Sequence, residues 1–251
     1  LLKFFTFIMP KATKTMHRPI IKHTIADALA KVTARIQQAT QAANRDCDTV
    51  RLIAVSKTQP ADAVAQAYAC GQRDFGENYL QEALEKQAAL SALASIQWHF
   101  IGPIQSNKTR PIAENFAWIH SIDREKVAQR LNDQRPADLA PLQVCLQVNI
   151  DDETTKSGVS IAELAALAKA VSEMPRLQLR GLMAIPAASN TPEQQHQAFR
   201  SLRAALLDLR AQGYWVDTLS MGMSGDLEAA ITEGATMVRV GTDIFGTRPK
   251  A

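Results

Sequence analysis

Lys57 ends the apolar run Arg51-Leu-Ile-Ala-Val-Ser56, so a primary amine sits where a buried strand opens into a loop. An amine at such a mouth can be desolvated enough to shed its proton, and the neutral form attacks carbonyls to make Schiff bases. The plain alternative is a solvated lysine that begins a loop, the usual setting for lysine. Two later segments suit an anion. Ser220-Met-Gly-Met-Ser224-Gly-Asp is a small-residue turn entering a helix, and Arg239-Val-Gly241-Thr242 closes an apolar run with glycine and a hydroxyl. Backbone N–H groups at a helix N-terminus, joined by serine and threonine hydroxyls, bind phosphate without a lysine. The same residues also make ordinary tight turns.

What positions these residues is an alternation of strands and helices. Ile21, Ile25, Ala28, Leu29, Val32 and Ile36 recur at three- and four-residue steps and predict a helix over about 20–45 with one buried stripe. This helix is expected either to cover the bottom of the fold or to meet a partner. Short apolar runs at 52–56, 74–76, 98–102, 118–122, 142–150, 179–185, 218–221 and 237–241 read as strands buried on both faces. Helical patterns at 60–68, 79–91, 108–115, 125–134, 161–173, 192–212 and 227–233 lie between them. Eight strand-helix units in succession predict an α/β fold, a single (β/α)8 TIM-type barrel preceded by an N-terminal helix.

In such a barrel, residues just past each strand converge on one mouth. Lys57, Asn78 and Thr242 then share it with Glu77, Asp123 and the turn 222–224, and Lys57 is the lysine that directly ends a strand. Barrels often hold phosphate after their last two strands, where the two small-residue turns fall. An amine facing a phosphate cradle across one mouth matches the two ends of pyridoxal 5'-phosphate (PLP), aldehyde and phosphate.

Composition narrows the classes. The chain has 251 residues, 46% hydrophobic and 21% charged, as in ordinary globular proteins. A net charge of +3 with scattered basic residues gives no electrostatic footprint for nucleic acid. No apolar run reaches the roughly 18 residues of a membrane span, so no membrane role is expected. Cys47, Cys70 and Cys145 have no metal-ligand spacing and read as reduced thiols of a cytoplasmic protein. Residues 1–16, apolar and then basic, lack the order of a secretory signal and are read as a non-native or disordered extension, with 17–251 forming the barrel.

The segments Ala54-Val-Ser-Lys57, Phe75-Gly-Glu-Asn78, Trp98-His-Phe-Ile-Gly102, Gln105-Ser-Asn-Lys108, Ser157-Gly158, Arg180-Gly-Leu-Met183, Gly222-Met-Ser224 and Met237-Val-Arg-Val-Gly-Thr242 run in order over nearly all of 17–248. In this the chain resembles the YggS/PROSC family of pyridoxal phosphate homeostasis proteins, whose fold is similar to the barrel of alanine racemase. The resemblance implies that Lys57 forms the internal aldimine with PLP. It also places Ser224, Gly241 and Thr242 near the phosphate, with Ser220 a further candidate, and Arg239 near the pyridine nitrogen. Asn78, His99 and Met183 are implied in the pocket lining. For His99 the alternative is a core histidine pointing away from the mouth, since it sits within its strand.

The resemblance further implies intracellular PLP storage or delivery by a monomer, with PLP-dependent apoenzymes as recipients. An arginine at the pyridine nitrogen disfavours the pyridinium and weakens the ring as an electron sink. Two-base racemisation needs a second acid/base, supplied in alanine racemase by a tyrosine from a further C-terminal domain for which this sequence leaves no room. Of Tyr68, Tyr79 and Tyr214, Tyr79 is expected nearest the mouth. A cofactor-holding protein without a catalytic residue is therefore the expectation, a PLP-dependent racemase the alternative, and a Schiff-base aldolase a more distant one.

Overall fold

The computed structural model describes residues 24–151, 157–187 and 191–246. The expected extension 1–16 lies outside them.

Eight parallel strands close on themselves in sequence order: β1 (Arg51–Val55), β2 (Asp74–Glu77), β3 (Gln97–Phe100), β4 (Trp118–Ile122), β5 (Leu142–Gln147), β6 (Leu177–Met183), β7 (Thr218–Ser220) and β8 (Met237–Val240). The closing pair, β1 with β8, sets Ile53 beside Arg239 and Ala54 beside Val240. The helices are α1 (Ile25–Ala42), α2 (Ala61–Ala69), α3 (Leu80–Ala89), α4 (Thr109–Asn115), α5 (Glu125–Gln134), α6 (Ile161–Ser172), α7 (Pro192–Ala211), α8 (Leu227–Thr232) and the short α9 (Thr242–Phe245). The predicted (β/α)8 barrel with a preceding helix is the observed architecture.

Local chemistry explains where elements start. Thr24 caps α1 by accepting from Asp27 N at 3.1 Å, Ser160 and Glu163 form a capping box on α6, and Thr191 with Pro192 opens α7. Strand ends differ from the sequence expectation by a few residues. β5 stops at Gln147, short of 150, because Asn149 N turns to the Val159 carbonyl and Val148 bridges Val159. Turns of 3₁₀ helix at Cys47–Thr49 and Ser106–Lys108, and α9 itself, carry no periodic signal.

α1 does not cover the bottom of the barrel. It packs against α8, α9 and α2, taking the wall position that a four-residue α9 cannot fill. Its stripe Leu29, Val32 and Ile36 is buried within the chain, each side chain contributing about 1.5–3 kcal/mol. The large core joins strands to helices. A separate small cluster, Ile53, Trp118, Cys145, Met183 and Met237, draws on five strands and fills the inside of the barrel. All three cysteines are free, and burial pushes the Cys145 thiol up to about 12.

Candidate functional site

Lys57 follows β1 directly after the buried Ser56, and is itself partly buried. The chain is pinned on both sides of it. Ser56 N donates to the Gly76 carbonyl at 3.0 Å, and its carbonyl accepts from Gln59 N at 3.0 Å and from Lys86 Nζ at 2.7 Å. Ser56 Oγ donates to Glu77 Oε1 at 2.6 Å, and Lys86 Nζ donates to the same oxygen at 2.7 Å. On the far side Thr58 N donates to Glu82 Oε2 at 2.9 Å. Thr58 has φ +63°, a left-handed conformation that costs a threonine about 1–2 kcal/mol. Burial raises the Glu77 carboxyl above its usual range despite the opposing ion pair with Lys86.

The small-residue turn after β8 meets this strand end. A Cβ on Gly241 would lie 3.1 Å from the Val55 carbonyl oxygen, so glycine lets the β8 turn come this close to the strand that leads to Lys57 without displacing it. Gly222, at φ +92°, leaves room for Ala230, whose Cβ would be 2.5 Å from an added Cβ. Met223 N donates to Asp226 Oδ1 at 2.5 Å. Arg35, on α1, ties the two turns together: it donates to the Ser224 carbonyl at 3.0 Å, to Glu228 at 2.8 Å and to Asp243 at 2.6 Å.

Arg239 lies one layer below, 4% exposed. Its NH1 donates to Ser220 O at 2.6 Å and to Ser220 Oγ at 2.7 Å, and its NH2 to the Ala184 carbonyl at 3.0 Å. Burial pulls its guanidinium down to about 10, which leaves it a cation at neutral pH. From Ser220 a buried polar chain continues across the barrel: Ser220 Oγ to His120 Nδ1 at 2.7 Å, His120 Nε2 to His99 Nδ1 at 2.9 Å, and His99 Nε2 to Asp74 Oδ1 at 2.9 Å. Trp118 stacks on His99 at 5.6 Å between centroids. Burial holds both imidazoles below the usual histidine range; for His120, His99 and Arg239 push further the same way.

The predicted residues therefore divide into two layers. Lys57, Asn78, Ser224, Gly241 and Thr242 lie at or beyond strand ends. His99 takes the core alternative, with both ring nitrogens engaged by protein groups, and Met183 packs in the interior cluster. Ser220 Oγ is likewise engaged, by His120 and Arg239. Asn78 borders a cavity of about 250 Å³ with Ile101, Pro103, Gln147, Ser157 and Ile185, and its buried Oδ1 has no partner among the described residues. A larger cavity of about 790 Å³ beside the ends of β5 to β7 is lined by neither Lys57 nor Arg239. Tyr79 is half exposed at the start of α3, while Tyr68 bonds Ser95 on the outside.

Sequence reasoning passed over Asp74, His120, Lys86 and Arg35. A histidine inside the mainly apolar strand Trp118-Ile-His-Ser-Ile122 was a usable signal, because a polar group buried in a barrel strand needs a partner. Arg35 gave none, its partners being 189 to 208 residues away.

A partly buried amine, an amide oxygen without a partner among the described residues, a buried arginine and hydroxyls on tight glycine turns form a polar set that fits a phosphorylated aldehyde with a ring nitrogen. Among the described residues no group of histidine, cysteine and carboxylate side chains could hold a metal ion, and no helix is long and apolar enough to cross a membrane.

The family profile described as alanine racemase, N-terminal domain, matches residues 28–249. The chain is 64% identical over 225 residues to the pyridoxal phosphate homeostasis protein of Pseudomonas aeruginosa, covering 90% of this chain and 96% of that one. It is 52% identical over 226 residues to the protein of the same name from Escherichia coli, covering 89% and 97%. The structure of PipY from Synechococcus elongatus with PLP bound superposes with a TM-score of 0.79 at 38% identity, covering 89% of this chain and all of that one. On these grounds the chain belongs to the YggS/PROSC family of pyridoxal phosphate homeostasis proteins, built on the alanine racemase type of barrel.

Proposed function

We propose that this protein binds PLP and holds it through a covalent bond from Lys57 Nζ, for storage or delivery in PLP homeostasis. The observation that carries the reading is the partly buried Lys57, pinned two residues beyond Val55, the end of β1 that Gly241 approaches across the β1–β8 seam. The PLP-bound relative and the names of the curated relatives support it. When bound, the cofactor supplies an aldehyde for the amine and a ring that can withdraw electrons. Ser224, Gly241 and Thr242 receive the phosphate, and Arg35 steadies their two turns. Arg239 stands at the pyridine nitrogen; as a cation it offers that nitrogen only donors and so keeps it unprotonated. Asn78 Oδ1 is the proposed acceptor for the ligand.

Holding rather than catalysis is the reading. An unprotonated ring is a poor electron sink, and Tyr79, the tyrosine at the mouth, is half exposed to water. PLP-dependent apoenzymes are the proposed recipients, the compartment is the cytoplasm, and the unit is the monomer.

Titration of the apoprotein with PLP, borohydride reduction and peptide mass spectrometry test this. The expected result is a visible absorbance band and one modified peptide containing Lys57, both lost in Lys57→Ala. A modified peptide without Lys57 overturns the attachment. Rapid α-proton exchange in amino acids that disappears in Tyr79→Phe overturns the non-catalytic reading in favour of a racemase.

A further inference from the structure

The buried chain beneath Arg239 has only one consistent arrangement of its protons. At one end Asp74, as a carboxylate, can only accept, so His99 must carry its proton on Nε2. At the other end Arg239 can only donate, so Ser220 Oγ accepts from NH1. Among the described residues Ser220 Oγ has one other partner, His120 Nδ1, which must then accept the serine proton. His120 therefore holds its own proton on Nε2 and donates it to His99 Nδ1. The assignments made from the two ends agree at the central link. Every imidazole is neutral, and every bond points from Arg239 toward Asp74.

Adding a proton to either ring breaks this order. A proton on His99 Nδ1 faces the one already on His120 Nε2. A proton on His120 Nδ1 leaves the Ser220 hydroxyl without an acceptor inside a dry core, which is costly. The surroundings oppose both additions: Arg51 stands 3.5 Å from Asp74 and shares its charge, Arg239 faces His120, and Trp118 covers His99.

We propose that Asp74, His99 and His120 are positioning residues, forming a one-way hydrogen-bond chain that fixes Ser220 and, through it, the orientation of Arg239 beneath the ligand. The proposal rests on the reading of Arg239 as the group at the PLP ring nitrogen. The chain matters to that reading because NH1, held by Ser220, and NH2, held by Ala184, leave the arginine one orientation. A fixed cation keeps the ring nitrogen unprotonated; a swinging one does not.

Two measurements test it. Nitrogen-15 NMR of the apoprotein at neutral pH is expected to show His99 and His120 both neutral, both protonated on Nε2. Either ring charged, or protonated on Nδ1, overturns the chain whether or not PLP binds. In the PLP-loaded protein, His120→Leu is expected to shift the balance of the visible absorbance bands and to speed PLP release by about tenfold, with His120→Gln restoring both in large part. A folded His120→Leu with unchanged spectrum and release overturns the positioning role. Failure of the wild-type protein to take up PLP at all, with the NMR result as expected, removes the proposed function and leaves the chain standing as a structural device without a ligand to serve. If His120→Leu does not fold, the tautomers decide.

Discussion

Beneath Lys57 and beneath Arg239 the protein buries polar groups in opposite ways. Under Lys57 the groups carry full charges, Lys86 against Glu77, and leave Glu77 Oε2 and Thr58 Oγ1 without partners among the described residues. Under Arg239 the histidine chain is neutral, and each link has a donor and an acceptor. A buried ion pair recovers little more than the cost of its own desolvation, so the first cluster is poorly explained as a stabiliser. It fixes backbone instead: Lys86 holds the Ser56 carbonyl, and Glu82 holds the N–H of a threonine in a left-handed conformation. The second cluster fixes a side chain. This division suits the roles proposed for the two residues: covalent attachment needs its amine at one place on the main chain, whereas recognition of a ring nitrogen needs one guanidinium at one angle.

The contrast can be broken most severely at Lys86. Replacing it in Lys86→Met leaves Glu77 buried without its cation, and the expected loss is about 3–5 kcal/mol in urea unfolding. A loss under about 1 kcal/mol would mean that the pair is solvated and not the anchor described here.

Acid sharpens the contrast, because the clusters respond with opposite sign. His99 and His120 have folded pKa values below the ordinary 6.5. Below about pH 6.5 the unfolded chain takes protons that the folded chain refuses, so the stability they contribute is present above that pH and is lost as pH falls. Glu77 has its folded value raised above 4.5, so its contribution declines as pH rises from 4.5. Urea midpoints from about pH 7.5 to pH 5.5 are expected to fall more steeply for the wild type than for His99→Gln/His120→Gln. Parallel curves would show that the histidines already accept protons in the folded state.

The smallest expected effect is a gain. Thr58→Gly removes both the strain at φ +63° and the unpartnered hydroxyl, and is expected to stabilise the apoprotein by about 1 kcal/mol while loosening the hold on PLP, seen as faster release. Unchanged release would mean that Glu82 alone positions the turn.

The barrel was legible because eight apolar runs, each followed by a helical pattern, admit few architectures. Lys57 and the Gly222-Met-Ser224 and Gly241-Thr242 turns were legible because strand ends in such a barrel converge. The second layer was not. Lys86 is an ordinary helical lysine until α3 turns it onto Glu77, and Asp74 becomes a hydrogen-bond terminus only when β2 lies beside β3. For His99 pocket lining and core both stayed open, because position along a strand does not say which group its ring nitrogens will meet. That is set by register: β3 pairs His99 with Trp118, and His120 lies two residues further along β4.

The seam between β1 and β8 has a kinetic meaning. Lys57 belongs to the first strand and Thr242 follows the last, and the arginine that ties the two small-residue turns reaches partners 193 and 208 residues later in the chain. Contacts of such separation form late, after the intervening loops have been closed. On the ribosome, Lys57 is made long before the turn at Gly241 and Thr242. On the proposed reading the amine has no phosphate cradle until β8 is in place, so capture of the aldehyde is expected to arrive with barrel closure and to report on it.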